Sequence, residues 1–105
     1  MVLRALSAVL LLCGIGAAQA QTSQAQRGRA IAANNCAQCH AIDRTGSSPL
    51  AAAPAFRDLH HRYPVSQLSE ALAEGIVTAH PAMPEFRMTR SQIADFLAYL
   101  RTLER

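Results

Sequence analysis

Cys36-Ala37-Gln38-Cys39-His40 joins two thiols and an imidazole at a spacing that fits one particular chemistry. Two cysteines about one helical turn apart can each form a thioether with one of the two vinyl groups on a single haem edge. The residue that follows is then held beneath the porphyrin, where its imidazole can bind the iron as proximal ligand. Two other chemistries use a C-x-x-C pair. A redox dithiol of the thioredoxin kind belongs in a βαβ setting, and no β-rich run occurs after the leader. A structural zinc site needs four closed nitrogen or sulfur ligands. Only His60, His61 and His80 are left to complete one, none at a finger-like spacing. The pattern therefore points to one covalent haem c, with its iron on His40.

What occupies the other face of the iron decides the chemistry. Met83 lies in His80-Pro81-Ala82-Met83-Pro84, where Pro84 biases it toward an extended backbone and two prolines stiffen the loop. A thioether is a soft ligand that favours ferrous iron, so His/Met ligation raises the reduction potential. Methionine is more often core filler. That reading suits Met88, beside a helix start, better than a methionine in a proline-bounded loop. The alternatives for the sixth position are His80, His60, His61 or an open site.

The elements that must present these residues are helical. Arg27 to Gln38 reads as a helix on Ala30, Ile31, Ala32 and Ala33, with Gly28 costing roughly 1 kcal/mol against alanine. Asn34 and Asn35 mark fraying before the attachment motif, and Gln21 to Gln26 forms a polar leader without periodicity. Asp43 to Ala55 is a loop rich in Gly, Ser and Pro. Phe56 to Tyr63 can make a short helical turn, broken by Pro64. A second helix is capped by Ser66, carries Leu68, Leu72 and Ile76 on one face, and stops at Gly75. Pro81 and Pro84 keep Thr78 to Arg87 out of regular helix. Thr89 and Gln92 form a capping box, and Met88 and Ile93 occupy the staple positions. Ile93, Phe96, Leu97, Leu100 and Leu103 then make an apolar stripe with Tyr99 beside it. The expected class is all-α, three main helices around one haem.

Residues 1–20 read as a signal peptide. Met1 to Arg4 is a positive start, Ala5 to Ala18 is apolar apart from Ser7, and Ala18-Gln19-Ala20 is a cleavage signature, so residues 21–105 form the domain. The apolar run falls short of the about 20 residues that span a bilayer, an uncleaved anchor being the alternative. Leu12 before Cys13 argues against lipidation. Export to the periplasm agrees with attachment of c-type haem outside the bacterial cytoplasmic membrane. All ten basic residues are arginine; without Arg4, nine face seven acids for a formal charge of +2. No basic run or aromatic-interleaved basic patch suggests nucleic acid. A domain this small usually needs a staple, and a haem supplies an apolar slab to pack against.

With CAQCH near the start, Met83-Pro84 in a proline-rich loop and Phe96-Leu97-Ala98-Tyr99-Leu100 in the last helix, the chain resembles the small bacterial class I cytochromes c. The resemblance covers essentially the whole domain. It implies a mono-haem cytochrome c fold in which the first and last helices cross near one haem edge, with Gly28 and Tyr99 at the crossing. It also implies a proline carbonyl accepting the Nδ1–H of His40, for which Pro54 is the first choice and Pro49 the second. Tyr63, Arg57 and Arg62 are candidates for the propionates or for plain surface. The implied function is one-electron transfer without catalysis. The partners would be redox proteins: a dehydrogenase, a quinol-oxidising complex or a terminal oxidase. Peripheral membrane contact and a place as monomer or small subunit of a redox complex are compatible with this. A gas sensor or peroxidase-like site is the competing class, weakened by the lack of a placed distal histidine or arginine. The cofactor-binding set is thus Cys36, Cys39, His40, Met83 and Pro54.

Overall fold

The computed structural model describes residues 10–76 and 80–105, with side chains for 19, 20 and 22 onward. The positive start Met1–Arg4 and the first part of the apolar run therefore lie outside the described residues. So do Val77, Thr78 and Ala79. Helices α1 (Leu10–Asn35), α2 (Leu68–Glu74) and α3 (Arg90–Thr102) carry the fold, joined by 3-10 turns at Phe56–His61 and Val65–Gln67. The all-α expectation holds: pairing among the described residues is limited to one isolated antiparallel bridge, Ile76 to Phe86.

Helix α1 is longer at its start than the sequence reading, and shorter at its end. The polar leader Gln21 to Gln26 is helical, continuous with the segment before it. Ala17 to Arg27 holds neither proline nor glycine and is rich in Ala and Gln, strong helix formers. Once α1 is nucleated at its packed end, extending it costs little even without an apolar stripe. At the other end the helix stops at Asn35, whose side-chain amide turns back to donate to the Ile31 carbonyl at 2.8 Å. Cys36 and Ala37 both donate to the Ala32 carbonyl, at 2.8 and 3.1 Å, which widens the last turn.

The second helix is also shorter than expected. Ser66 sits in the 3-10 turn and does not cap; Gln67 holds the N-cap position, with no side-chain bond to the helix. Gly75 ends α2 at φ 102°, a backbone region that side chains avoid. The last helix starts as read: Thr89 Oγ1 accepts from the Gln92 backbone, and the Gln92 side chain accepts from the Thr89 N–H.

The core sits where α1 crosses α3. Ala32 is fully buried, and Ile93, Phe96, Leu97, Leu100 and Leu103 present the expected stripe, with Tyr99 buried alongside. Gly28 is the point of closest approach, as the resemblance implied. A Cβ built there would overlap the Asp95 carbonyl oxygen and stand 2.8 Å from Tyr99 Cβ. Met88 and Leu72 close the far end, joined by the Met88 N–H to the Leu72 carbonyl at 2.8 Å. Met88 is the core filler of the two methionines considered.

Candidate functional site

Helix α1 delivers the attachment motif into a tight turn. The Cys39 and His40 N–H groups both donate to the Cys36 carbonyl, at 3.2 and 2.9 Å, so Cys36 to His40 is a single winding of chain. Cys36 and Cys39 are half-buried free thiols. Burial pushes the Cys36 thiol up to about 11. A redox dithiol needs the opposite, a thiolate stabilised near neutral pH. A Cys36 thiol kept protonated by burial, one turn from Cys39, suits attachment to an apolar ring edge instead.

His40 is fixed from two sides. Its Nδ1 lies 2.7 Å from the Pro54 carbonyl oxygen, which leaves Nε2 for a metal when Nδ1 carries the proton. The Phe56 ring packs against the imidazole, centroids 4.9 Å apart, and Phe56 in turn meets Phe96 edge-on at 5.8 Å. The loop between them is folded back on the motif. Leu50 N–H donates to the Cys39 carbonyl, Phe56 N–H to the Ala41 carbonyl, and the Ser48 hydroxyl accepts from the Ala41 N–H at 2.9 Å. Pro49, the second choice, is exposed on this loop and makes no such contact with His40.

A polar tie holds the residues just after the motif. Tyr99 Oη donates to the Ile42 carbonyl at 2.6 Å and reaches Asp43 Oδ1 at 2.9 Å. Arg29 on α1 grips the same carboxylate through two bonds of 3.0 Å. Hydrogen bonding from Arg29, then from Tyr99, holds the Asp43 carboxyl below its usual range. Burial and the Asp43 hydrogen bond push the Tyr99 phenol up to about 12. Phe56, Asp43 and Arg29 were not anticipated as supports of the site. The bulky residue two after the accepting proline was the only sequence signal for any of them.

Met83 stands in a closed loop. Its N–H donates to the His80 carbonyl at 3.1 Å, a turn with Pro81 at the second position, where proline's fixed φ is favoured. The Ile76 N–H bonds the Phe86 carbonyl at 2.8 Å across the loop's base. Met83 is half-buried and His80 exposed. His60 and His61 stack on each other, centroids 3.9 Å apart, in the 3-10 turn that follows Phe56. No three His, Cys, Asp or Glu side chains among the described residues could hold a metal together. An iron held here needs the porphyrin's nitrogens, and the free thiols and oriented imidazole fit a haem.

A family model described as cytochrome c matches residues 25–104. Cytochrome c-552 of Bradyrhizobium diazoefficiens is 31% identical over 95 residues, covering 90% of this chain and 89% of that protein. A cytochrome c-553-like protein of Synechocystis is 35% identical over 79 residues, covering 75% of this chain and 69% of its own length. No solved structure gives a significant match. Among the described residues, no helix is long and apolar enough to cross a membrane.

Proposed function

Since this chain belongs to the cytochrome c family, and is thereby an electron-transfer protein with covalently bound haem c, we propose that it carries one electron at a time with His40 and Met83 as axial ligands. When bound, haem c supplies an iron that alternates between ferric and ferrous states. The observation that carries the reading is the His40 Nδ1 to Pro54 oxygen approach of 2.7 Å, made on the same turn as two free thiols.

Each residue has a separate task. Cys36 and Cys39 would hold the ring through thioethers. The Pro54 carbonyl accepts the Nδ1–H, which sets the tautomer, aims Nε2 and raises its basicity. Phe56 limits rotation of the imidazole by packing against it at a tilt of 40°. Met83 Sδ would close the opposite side, in a loop whose turn and base are both hydrogen-bonded, so little rearrangement accompanies a change in charge. With the iron held by both His40 and Met83, no position would be left for a substrate, and the protein would act as a carrier rather than a catalyst.

We further propose that residues 1–20 direct export and are removed, that residues 21–105 work in the periplasm, and that the partners are redox proteins. The first test is the visible spectrum of the mature protein, oxidised and reduced, with a pyridine haemochrome assay and intact mass. One covalent haem c and no uptake of carbon monoxide by the reduced protein are expected. A colourless product without the added mass, made in a host competent for cytochrome maturation, refutes the reading.

A further inference from the structure

A cleft of about 350 Å³ opens between the Phe56–His61 turn and the end of α3, at the low end of small-molecule sites. None of Cys36, Cys39, His40, Pro54 or Met83 lines it. Its walls carry the guanidinium groups of Arg44, Arg57 and Arg105 together with His60 and His61. Asp58 and Glu104 also border it, so arginines outnumber side-chain carboxylates by one. Among the described residues no ion pair joins these acids to the arginines. Two side-chain nitrogens of this wall, Arg57 Nη1 and His60 Nδ1, are buried and have no hydrogen-bond partner.

Such atoms call for a ligand. A buried donor left unpaired is costly, more so on a cation, and proteins rarely retain one without something that answers it. Planar guanidinium groups match the oxygens of phosphate or carboxylate with paired donors. Arg44 is tied down by its own bond to the Thr102 carbonyl, so one wall is held in place before a ligand arrives. We propose that this cleft binds a phosphate group, with Arg57 as the central donor and Arg44 and His60 beside it. The inference goes beyond electron transfer and does not depend on how the iron is ligated.

A free phosphate ion and the headgroup of an anionic lipid share this chemistry, and two arms separate them. In the first, isotope-labelled, haem-loaded protein is titrated with inorganic phosphate, followed by NMR at the Arg57 and His60 side chains. Saturable shifts are expected that chloride at matched ionic strength does not reproduce, with Arg57→Gln raising the dissociation constant at least tenfold. Arg90→Gln, an exposed arginine on α3 outside the cleft, leaves it unchanged. In the second arm, the same proteins are floated with phosphatidylglycerol vesicles. Arg57-dependent flotation without response to the free ion assigns the site to a headgroup. Should Arg57→Gln fail to fold, Arg44→Gln supplies the comparison. Absence of any arginine-dependent response in both arms overturns the proposal, as does a haem-loaded protein whose Arg57 is already occupied by a propionate.

Discussion

His40, the proposed iron ligand, shows how little an imidazole can do without neighbours. Pro54 orients its ring through a single carbonyl, and Phe56 packs against it, so the imidazole has one orientation to offer. Met83 is positioned through its loop, by the turn its N–H closes on the His80 carbonyl. Met83→Ala should keep covalent haem, lower the potential by on the order of 0.1 V within the about 0.8 V that axial ligands span, and let the reduced protein bind carbon monoxide. Redox titration and the Met–iron absorbance band check this; an unchanged potential and band would sink the ligand assignment.

The Arg29, Asp43 and Tyr99 contacts predict opposite pH dependences. The Asp43 carboxyl is held below its ordinary 3.8, so its contribution is present above that value and lost as pH falls through the lower folded one. Because Asp43 is half exposed, the effect stays below about 1 kcal/mol. Asp43→Asn should flatten the acid limb of a stability curve. Tyr99 behaves oppositely. Its phenol keeps its proton to about 12 rather than 10.0, so stability is intact below 10 and falls from there toward 12. Tyr99→Phe should abolish that alkaline loss while costing roughly 1–2 kcal/mol at neutral pH, since the Ile42 carbonyl loses a buried donor. Denaturant melts at several pH values measure both.

At the scale of elements, the crossing of α1 and α3 is decided by one missing methyl. Alanine at Gly28 would gain up to about 1 kcal/mol of helix propensity. It would also force a Cβ into the Asp95 carbonyl and Tyr99, and overpacking of this kind costs about 1–3 kcal/mol or more. Gly28→Ala should therefore lower the unfolding midpoint, and a rise would mean the helices part freely. Thr89 acts at the start of α3. Replacing it by alanine removes half of a reciprocal cap and should cost about 1 kcal/mol, seen as an unchanged denaturant slope with a lower midpoint. The Arg27 to Asp95 pair beside the crossing joins an exposed guanidinium to a carboxylate that is only 13% exposed.

Taken whole, the molecule has its core at one helix crossing and long irregular segments around the site. The stretch from Ala41 to Ala55 has no helix or strand and depends on its internal Ala41–Ser48 bond and on bonds to the attachment turn and to Tyr99. A domain of this size gains much from a staple, and a haem held as proposed by His40 and Met83 would join the motif, this loop and the Met83 loop. A Cys36→Ala/Cys39→Ala chain, unable to attach it, should lose most of its far-ultraviolet helical signal and its sharp unfolding transition. Retention of both would show that the helix crossing is sufficient.

The amino-acid order by itself determined the features that depend on short spacings. These are the attachment pentapeptide, the Thr89–Gln92 box, the apolar stripe of α3, the stop at Gly75 and the irregular loop around Pro81 and Pro84. Each is a matter of residue type within a few positions, where backbone geometry leaves few choices. The likeness to a cytochrome c family was legible for the same reason. Only the tertiary structure decided what meets across long separations: Tyr99 with a carbonyl 57 residues away, Arg29 with Asp43, Phe56 beneath His40. It also decided how far α1 extends and which arginine nitrogen is left buried without a partner. Such contacts follow from how helices pack, and no local pattern encodes which surface arrives opposite which.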